Sequence, residues 1–318
     1  MAPVYPETPV SSRETASFDT IERMGSPRFS PTLNTSRRRF LKATLCGAAG
    51  LALYAGEVER HWIQISRQDL RIRGLAPAFD GMRVAQLSDL HMDEFSEPFF
   101  LRDAVDHVNR LNPDLVFLTG DYVTWGVSTR KFAEGAAWHC ANLLNGLNCR
   151  KRYAILGNHD VIVNSKLVTS ALTDNGMTVL TNTCVPIEHA GARFWLAGLD
   201  DPLEGTPDPE SAIPARIRNL PDEPVVLLCH APDYVDALLT HPAGKAVQVM
   251  LSGHTHGGQV RFPFIGATQL PPLGKKYVEG WFKLGGLQLY VNRGLGAVGV
   301  PFRFDCPPEI TLFTLRAA

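Results

Sequence analysis

The sequence has little of what marks a nucleic-acid binder, a disulfide scaffold or a membrane-spanning chain. Charge of neither sign dominates, with 31 Lys and Arg against 32 Asp and Glu. No strong overall field therefore steers the chain to nucleic acid or anionic lipid, and no nucleic-acid partner is expected. The six cysteines form no framework. Cys46 lies in a leader-like segment, the other five make an odd number, and none stands in C-x-x-C spacing. Cys140 and Cys149 are the one pair close enough to suggest a bridge across a helix end. No apolar run reaches the roughly 20 residues that a spanning helix needs, and there are no internal repeats. Apolar residues still make up 45% of the chain, enough for an ample core.

Three segments are expected. Residues 1–35 are rich in Pro, Ser, Thr and charge without an apolar period, which predicts a disordered N-terminal extension. Residues 36–58 hold Ser36-Arg37-Arg38-Arg39-Phe40-Leu41-Lys42 and then the Ala- and Gly-rich stretch Ala43 to Ala55. Twin arginines ahead of a modest apolar stretch resemble a twin-arginine (Tat) export signal, or a retained membrane anchor. The twin-arginine translocation machinery would then be a partner, and the protein would be membrane-associated or exported to a bacterial periplasm or envelope. Retention on the cytoplasmic face of the inner membrane is the alternative. Residues 59–318, about 260 of them, suit one two-sheet α/β enzyme domain.

Five apolar runs each end on a metal-loving side chain. Arg83–Ser88 leads to Asp89 and His91, Leu115–Thr119 to Gly120-Asp121, and Tyr153–Leu156 to Gly157-Asn158-His159-Asp160. Val225–Cys229 leads to His230, and Val247–Ser252 to Gly253-His254-Thr255-His256. Such runs read as buried strands, and open α/β sheets place their sites at the carboxyl ends of strands. One catalytic ion uses three or four protein ligands. Asp89, His91, Asp121, Asn158, His230, His254 and His256 exceed that, and suit two divalent ions about 3.5–4 Å apart with a shared carboxylate. Imidazole, carboxylate and amide without thiolate favour Mn, Fe or Zn.

Blander roles compete for single residues. A lone Asp after a strand commonly caps a helix, but Asp89 and His91, at i and i+2, point one way from an extended segment. His230 before Ala231-Pro232 could simply end a strand ahead of a helix. Asp93, Glu94 and Glu97 are expected to face solvent or substrate. His61, His107, His139, His189 and His241 read as ordinary histidines, and Cys229 as a small buried hydrophobe.

The ordered set Asp-x-His, Gly-Asp, Gly-Asn-His-Asp, a lone His and Gly-His-x-His resembles the calcineurin-like metallophosphoesterases, over roughly residues 80 to 316. Gly253 to Gln259, Tyr290 to Gly296 and Cys306 to Ile310 resemble a bacterial membrane- or wall-associated phosphodiesterase subgroup carrying a twin-arginine leader. The resemblance implies an αββα sandwich of two packed, mixed β-sheets flanked by helices. It puts Asp89, His91 and His256 on one ion, Asn158, His230 and His254 on the other, and Asp121 between them. It also implies a metal-bridging hydroxide that attacks phosphorus in line with the leaving oxygen. His159 would donate a proton to the leaving alkoxide, or a hydrogen bond to the phosphoryl oxygen. Asp160 would orient His159 or a neighbouring ligand.

Helices are predicted over Pro98–Asn112, Phe132–Leu147 and Lys166–Asn175, with crossover units to about residue 180 and a hairpin around His189 to Ala192. Substrate choice is expected in loops: Asp121–Gly126 with its aromatic pair, Arg261–Ile265 and Gly280–Lys283. These suit a lipid- or nucleotide-bearing phosphodiester, or contact with a membrane surface. Arg261 or Arg293 is a candidate grip for a second phosphate. The leading expectation is a dinuclear, metal-dependent phosphodiesterase. The alternatives are a pyrophosphohydrolase of the UDP-2,3-diacylglucosamine type, a phosphomonoesterase, and a metal-binding scaffold without catalysis.

Overall fold

The computed structural model describes residues 32–93, 98–126, 130–220 and 222–317. Expectations placed on residues 1–31, Glu94 and Glu97 lie outside the described residues. The helix α1 (Thr32–Leu53) runs through the arginine cluster and the apolar stretch. Among the described residues no helix is long and apolar enough to cross a membrane. The chain divides into two units between Gly47 and Ala48, and the unit beginning at Ala48 contains all five motifs.

That unit opens with β1 (Gln64–Ile72), β2 (Arg83–Leu87), α2 (Pro98–Leu111), β3 (Leu115–Leu118), α3 (Arg130–Leu144), β4 (Arg152–Ala154), α4 (Asn158–Asp174) and β5 (Thr178–Val179). It continues with β6 (Thr183–His189), β7 (Ala192–Gly198), β8 (Val225–Leu228) and β9 (Val247–Ser252). Then come β10 (Arg261–Phe262), β11 (Gly266–Ala267), β12 (Gly280–Leu284), β13 (Leu287–Val291) and β14 (Glu309–Ala317).

Two six-stranded sheets result, in the orders β1-β14-β2-β3-β4-β5 and β12-β13-β9-β8-β7-β6. Both are mixed. In the first, β14 runs antiparallel to β2 while β2, β3, β4 and β5 are parallel. In the second, β12 and β6 are the antiparallel edges of a parallel centre. Alternate residues of the strands meet between the sheets, where Val84, Leu115, Phe117 and Phe313 pack on Phe194, Val226, Val249 and Leu251. The opposite face of the first sheet buries against α2, α3 and α4. That of the second is covered by short helices, through Ile217, Val235 and Leu238. The fold is therefore the αββα sandwich expected.

Four details differ from the sequence reading. α4 starts at Asn158, eight residues ahead of Lys166, because Gly157-Asn158-His159-Asp160 itself makes the first turn. The backbone then breaks at Asn164 (φ 178°, ψ 92°), and this interruption hid the longer helix from a periodicity count. Gly280–Lys283 is not a loop: it is edge strand β12, whose Trp281 ring lies 4.9 Å from Tyr290 and 5.8 Å from Phe313. β1 was not anticipated, since charged residues alternate along it. Finally, the cysteines are all free; Cys140 lies on the buried face of α3, whereas Cys149 Sγ faces the carbonyls of Asp114 and Lys151.

Candidate metal centre

Polar side chains tie the sheets together beneath the strand ends. Gln86 Nε2 on β2 donates to Thr119 Oγ1 and to the Ser252 carbonyl of β9, at 3.1 and 3.0 Å. Above this bridge the loops after β2 and β3 run side by side, with Asp89 N–H donating to the Gly120 carbonyl (2.9 Å) and His91 N–H to that of Asp121 (3.0 Å). Asp89, His91, Asp121, His254 and His256 all adopt left-handed backbone conformations, at φ 51°, 47°, 57°, 73° and 53°. Such φ values are sparsely populated for residues with a Cβ and cluster at functional sites. Asp89 and His91 therefore do not point one way from an extended segment, contrary to what their i, i+2 spacing predicts. The segment is not extended, and both side chains reach the centre through left-handed turns.

Gly120 (φ +97°) shows why the motif carries glycine. A Cβ there would stand 2.6 Å from Gly157 N and 2.8 Å from His230 Nδ1. The loops from β3, β4 and β8 converge too closely for a side chain.

The ligand atoms fall into overlapping triads: Asp89, His91 and His256; Asp121, His230 and His254; and His91, Asp121 and His159. Within each triad they lie within 4.8 Å of one another. Asp121 Oδ2 stands 3.4 Å from His91 Nε2 and 3.1 Å from His230 Nε2. Asp89 Oδ1 stands 3.5 Å from His256 Nε2, and His256 Nε2 stands 3.0 Å from His91 Nε2.

The outer ring nitrogens are held in ways that free the inner ones. His230 Nδ1 donates to the Thr119 carbonyl at 2.7 Å, and His254 Nε2 to the Pro272 carbonyl at 2.7 Å. Thr124 Oγ1 gives its proton to Asp93 Oδ2 (3.1 Å), so it can only accept from His91 Nδ1 (3.2 Å). Asp93 is thus buried and works through Thr124 on His91, contrary to the solvent- or substrate-facing role expected of it. Arg303, fully buried, donates to carbonyls of Arg293, Gly294, Gly296 and Cys306, and one Nη lies 3.4 Å from His256 Nδ1. Nothing in the sequence marked Arg303, which is 47 residues from His256. Asp93 and Thr124 could have been found, since each lies two or three residues beyond a motif.

This centre fits divalent cations. With Nδ1–H given to Thr119, His230 Nε2 and the Asp121 carboxylate meet as two acceptors, and His230 Nε2 has no hydrogen-bond partner. Buried Asn158 Oδ1 also lacks one. Leaving such atoms unpaired costs about 1–3 kcal/mol each. In the ion-free protein a proton closes the gap: burial alone would lower His230, but Asp121 and Asp89 hold it well above the usual imidazole range. His230 and His159 in turn hold the Asp121 carboxyl well below its ordinary value, against the effect of burial.

Burial pushes His91 and His256 well down, the Arg303 guanidinium adding to the effect at His256, and pushes His254 down to about 4. Unfolding releases these three imidazoles to take up protons below about pH 6.5. The unfolded state then binds more protons, so stability falls as pH falls. Metal-stripped protein should accordingly lose thermal stability as pH falls from 6.5 to about 4. A scanning-calorimetry midpoint that stays level or rises over that window would contradict this.

His159 and Asp160 extend from the first turn of α4. His159 Nδ1 accepts the Trp125 N–H at 2.9 Å, so the proton of the neutral ring sits on Nε2. Its own N–H donates to Asp121 Oδ1 at 3.0 Å. Asp160 does not orient His159. Its carboxylate accepts the N–H groups of Asp121, Tyr122, Val123 and Gly157 at 2.8, 2.9, 3.3 and 2.9 Å, which fixes the loop that bears Asp121. Replacing Asp160 with Ala strands these four buried donors. We expect a loss of about 3 kcal/mol or more, read from the urea midpoint of metal-loaded protein; a change under 1 kcal/mol would refute the buttress.

Other loop expectations need correcting. Tyr122 is buried, its hydroxyl donating to the Leu118 and Ile155 carbonyls, so of that aromatic pair only Trp125 is exposed. Arg261 pairs with Glu279, and Arg293 Nε lies 3.4 Å from Glu309 Oε2. Neither lines the cavity over the centre. That cavity, of about 530 Å³, is lined by Asp121, Asn158, His159, His254 and His256. Leu203, Val260, Leu270, Pro271, Pro272, Val298 and Val300 supply its apolar lining, with Glu204, Gln259 and Gln269 among them.

The sequence profile of the calcineurin-like phosphoesterases matches residues 82–258. The chain belongs to that family. The phosphoesterase is 34% identical over 292 residues to the uncharacterized metallophosphoesterase YkuE of Bacillus subtilis (strain 168), covering 89% of this chain and 98% of the relative. It is 33% identical over 290 residues to the phosphodiesterase YaeI of Escherichia coli (strain K12), covering 88% and 99%. It is 25% identical to the UDP-2,3-diacylglucosamine pyrophosphatase LpxG of Chlamydia muridarum (strain MoPn / Nigg), over 82% and 91%. A solved dimetal phosphatase from Danio rerio shares 14% identity at TM-score 0.44, covering 71% of this chain and 94% of that one. The phosphoesterase is a phosphoric ester hydrolase with a candidate metal-binding site.

Proposed function

We propose that the phosphoesterase is a phosphodiesterase working with two divalent ions, and that residues 36–58 export it or hold it at the membrane as a Tat signal or anchor. The observation that carries the dinuclear reading is Asp121 Oδ2, shared between His91 Nε2 at 3.4 Å and His230 Nε2 at 3.1 Å. Asp89, His91 and His256 would hold one ion, and Asn158, His230 and His254 the other, with Asp121 serving both. Manganese, iron or zinc suits these donors. Bound there, such ions neutralise phosphoryl charge and bring the pKa of a coordinated water toward about 7.

The side chains perform the remaining tasks. His159, with Nε2–H facing the cavity side, gives a proton to the departing oxygen. Asp160 acts as a positioning residue, through the backbone of Asp121. Thr119, Thr124 and Pro272 fix the rotation of three imidazoles. The apolar wall accepts the non-reacting part of a lipid- or nucleotide-bearing diester.

The test compares bis-p-nitrophenyl phosphate with p-nitrophenyl phosphate, using metal-loaded protein. The diester should have the higher kcat/KM; a faster monoester would favour the phosphomonoesterase alternative. The similarity to LpxG supports a second reading, a pyrophosphohydrolase of lipid-linked nucleotides, which release of the nucleoside monophosphate from such a substrate would reveal.

A further inference from the structure

We propose that an exposed apolar ridge beside the cavity docks on an anionic phospholipid bilayer, an inference that rests on the phosphodiesterase reading above and names the surface on which that site works. The ridge begins at the hairpin of β10 and β11, where Arg261 pairs with Ala267 and Phe262 with Gly266. At its tip Phe264 has a relative exposure of 110% and Ile265 one of 75%. Each apolar side chain of this kind gains about 1.5–3 kcal/mol when taken out of water. Tips that stand this far out meet a penetrable layer more readily than a flat protein face.

A second loop joins the first. Arg261 N–H donates to the Phe304 carbonyl at 2.9 Å, Val260 bridges to Phe304, and the Phe262 and Phe304 rings lie 6.0 Å apart. This loop exposes Val300 at 52% and is itself pinned to the segment following α1. Arg303 N–H donates to the Ala55 carbonyl at 3.0 Å, and the Phe302 ring occupies the space that a Cβ on Gly56 would need, 2.9 Å away. Tyr54 and Val58 lie exposed on either side of this contact in sequence.

Two observations select a bilayer as the occupant. The chain leading into Tyr54 carries Arg37, Arg38, Arg39 and Lys42, with no Asp or Glu between Ser36 and Gly56. Near anionic headgroups each such cation contributes about 1 kcal/mol. Aromatic and aliphatic tips tied to a segment that follows a basic run in the sequence have the composition of an interfacial anchor. Moreover, Val260, Val298 and Val300 line the catalytic cavity as well. The loops that would enter the lipid are thus the loops that form the cavity wall, which opens the site at headgroup level.

The experiment uses the full-length, metal-loaded chain and a Phe264→Asp, Ile265→Asp double variant. Both are sedimented with vesicles of phosphatidylglycerol and phosphatidylethanolamine, and both are assayed on bis-p-nitrophenyl phosphate without vesicles. Partition should fall at least tenfold in the variant, with soluble turnover within twofold of the parent. In the parent, vesicles should also slow amide exchange over residues 260–266 and 298–304, a readout that does not depend on the variant folding. Unchanged partition together with unchanged exchange would overturn the proposal. So would concentration-dependent protection of the same segments without lipid, which would make the occupant a second copy. Absence of diester hydrolysis by the metal-loaded parent sinks the phosphodiesterase reading instead, whatever the vesicles show.

Discussion

An Asp121→Asn variant is expected to lose metal before it loses shape. The amide keeps an oxygen for the His159 N–H, which Asp121 Oδ1 accepts at 3.0 Å, so the turn into α4 should persist. What disappears is the negative charge facing His91 Nε2 and His230 Nε2. Two cations about 3.5–4 Å apart repel strongly unless an anion lies between them. Elemental analysis of the purified variant should therefore give clearly fewer than two ions per chain. Turnover of diesters should fall by about 10²–10³-fold, the scale set by losing one electrostatic element of an active site. Far-ultraviolet circular dichroism should remain that of the parent. A variant that retains two full ions would remove the shared-carboxylate assignment.

Replacing His159 with Ala should do the opposite, keeping both ions and losing chemistry. The Trp125 N–H at His159 Nδ1 leaves the ring proton on Nε2, where a departing alkoxide could take it. General acid catalysis contributes about 10²–10⁴-fold, most where the leaving group is basic. Hydrolysis of an alkyl diester should drop over that range, while p-nitrophenyl esters, whose leaving group needs little help, should suffer less. Because His159 also lies within ligand distance of His91 and Asp121, the metal content decides between roles. Loss of an ion would make it a ligand, and equal losses on both substrates would refute proton donation.

Much of the architecture was legible because buried parallel strands are written as uninterrupted Val, Ile and Leu runs. β2, β3, β8 and β9 lie where those runs stand, and the turn at Ala190-Gly191 has the left-handed φ values, 48° and 82°, that its hairpin demands. Elements lacking such a pattern escaped. β1 alternates exposed charge, while β12 is an aromatic edge that resembles a loop until Tyr290 and Phe313 are seen behind it.

The candidate metal-facing atoms are side chains, so their identities could be read one by one. Their supports could not: the Thr119 and Pro272 carbonyls belong to the backbone, and no residue type announces them. Thr124 and Asp93 look like ordinary polar loop residues until both are buried beside His91. Arg303 is the extreme case, a long cation whose donors are met by backbone carbonyls, set by a loop geometry that no local spacing encodes.

The division of the centre between the two sheets has a consequence for biogenesis. Asp89, Asp121 and Asn158 follow strands of the first sheet, whereas His230, His254 and His256 follow strands of the second. A ribosome that has synthesised only the first two hundred residues has thus made part of a chelator, with the carboxylate, amide and His91 donors but none of the three late imidazoles. Tight metal uptake must wait until the second sheet has formed against the first, so acquisition of the ions would report that the polypeptide is finished and closed.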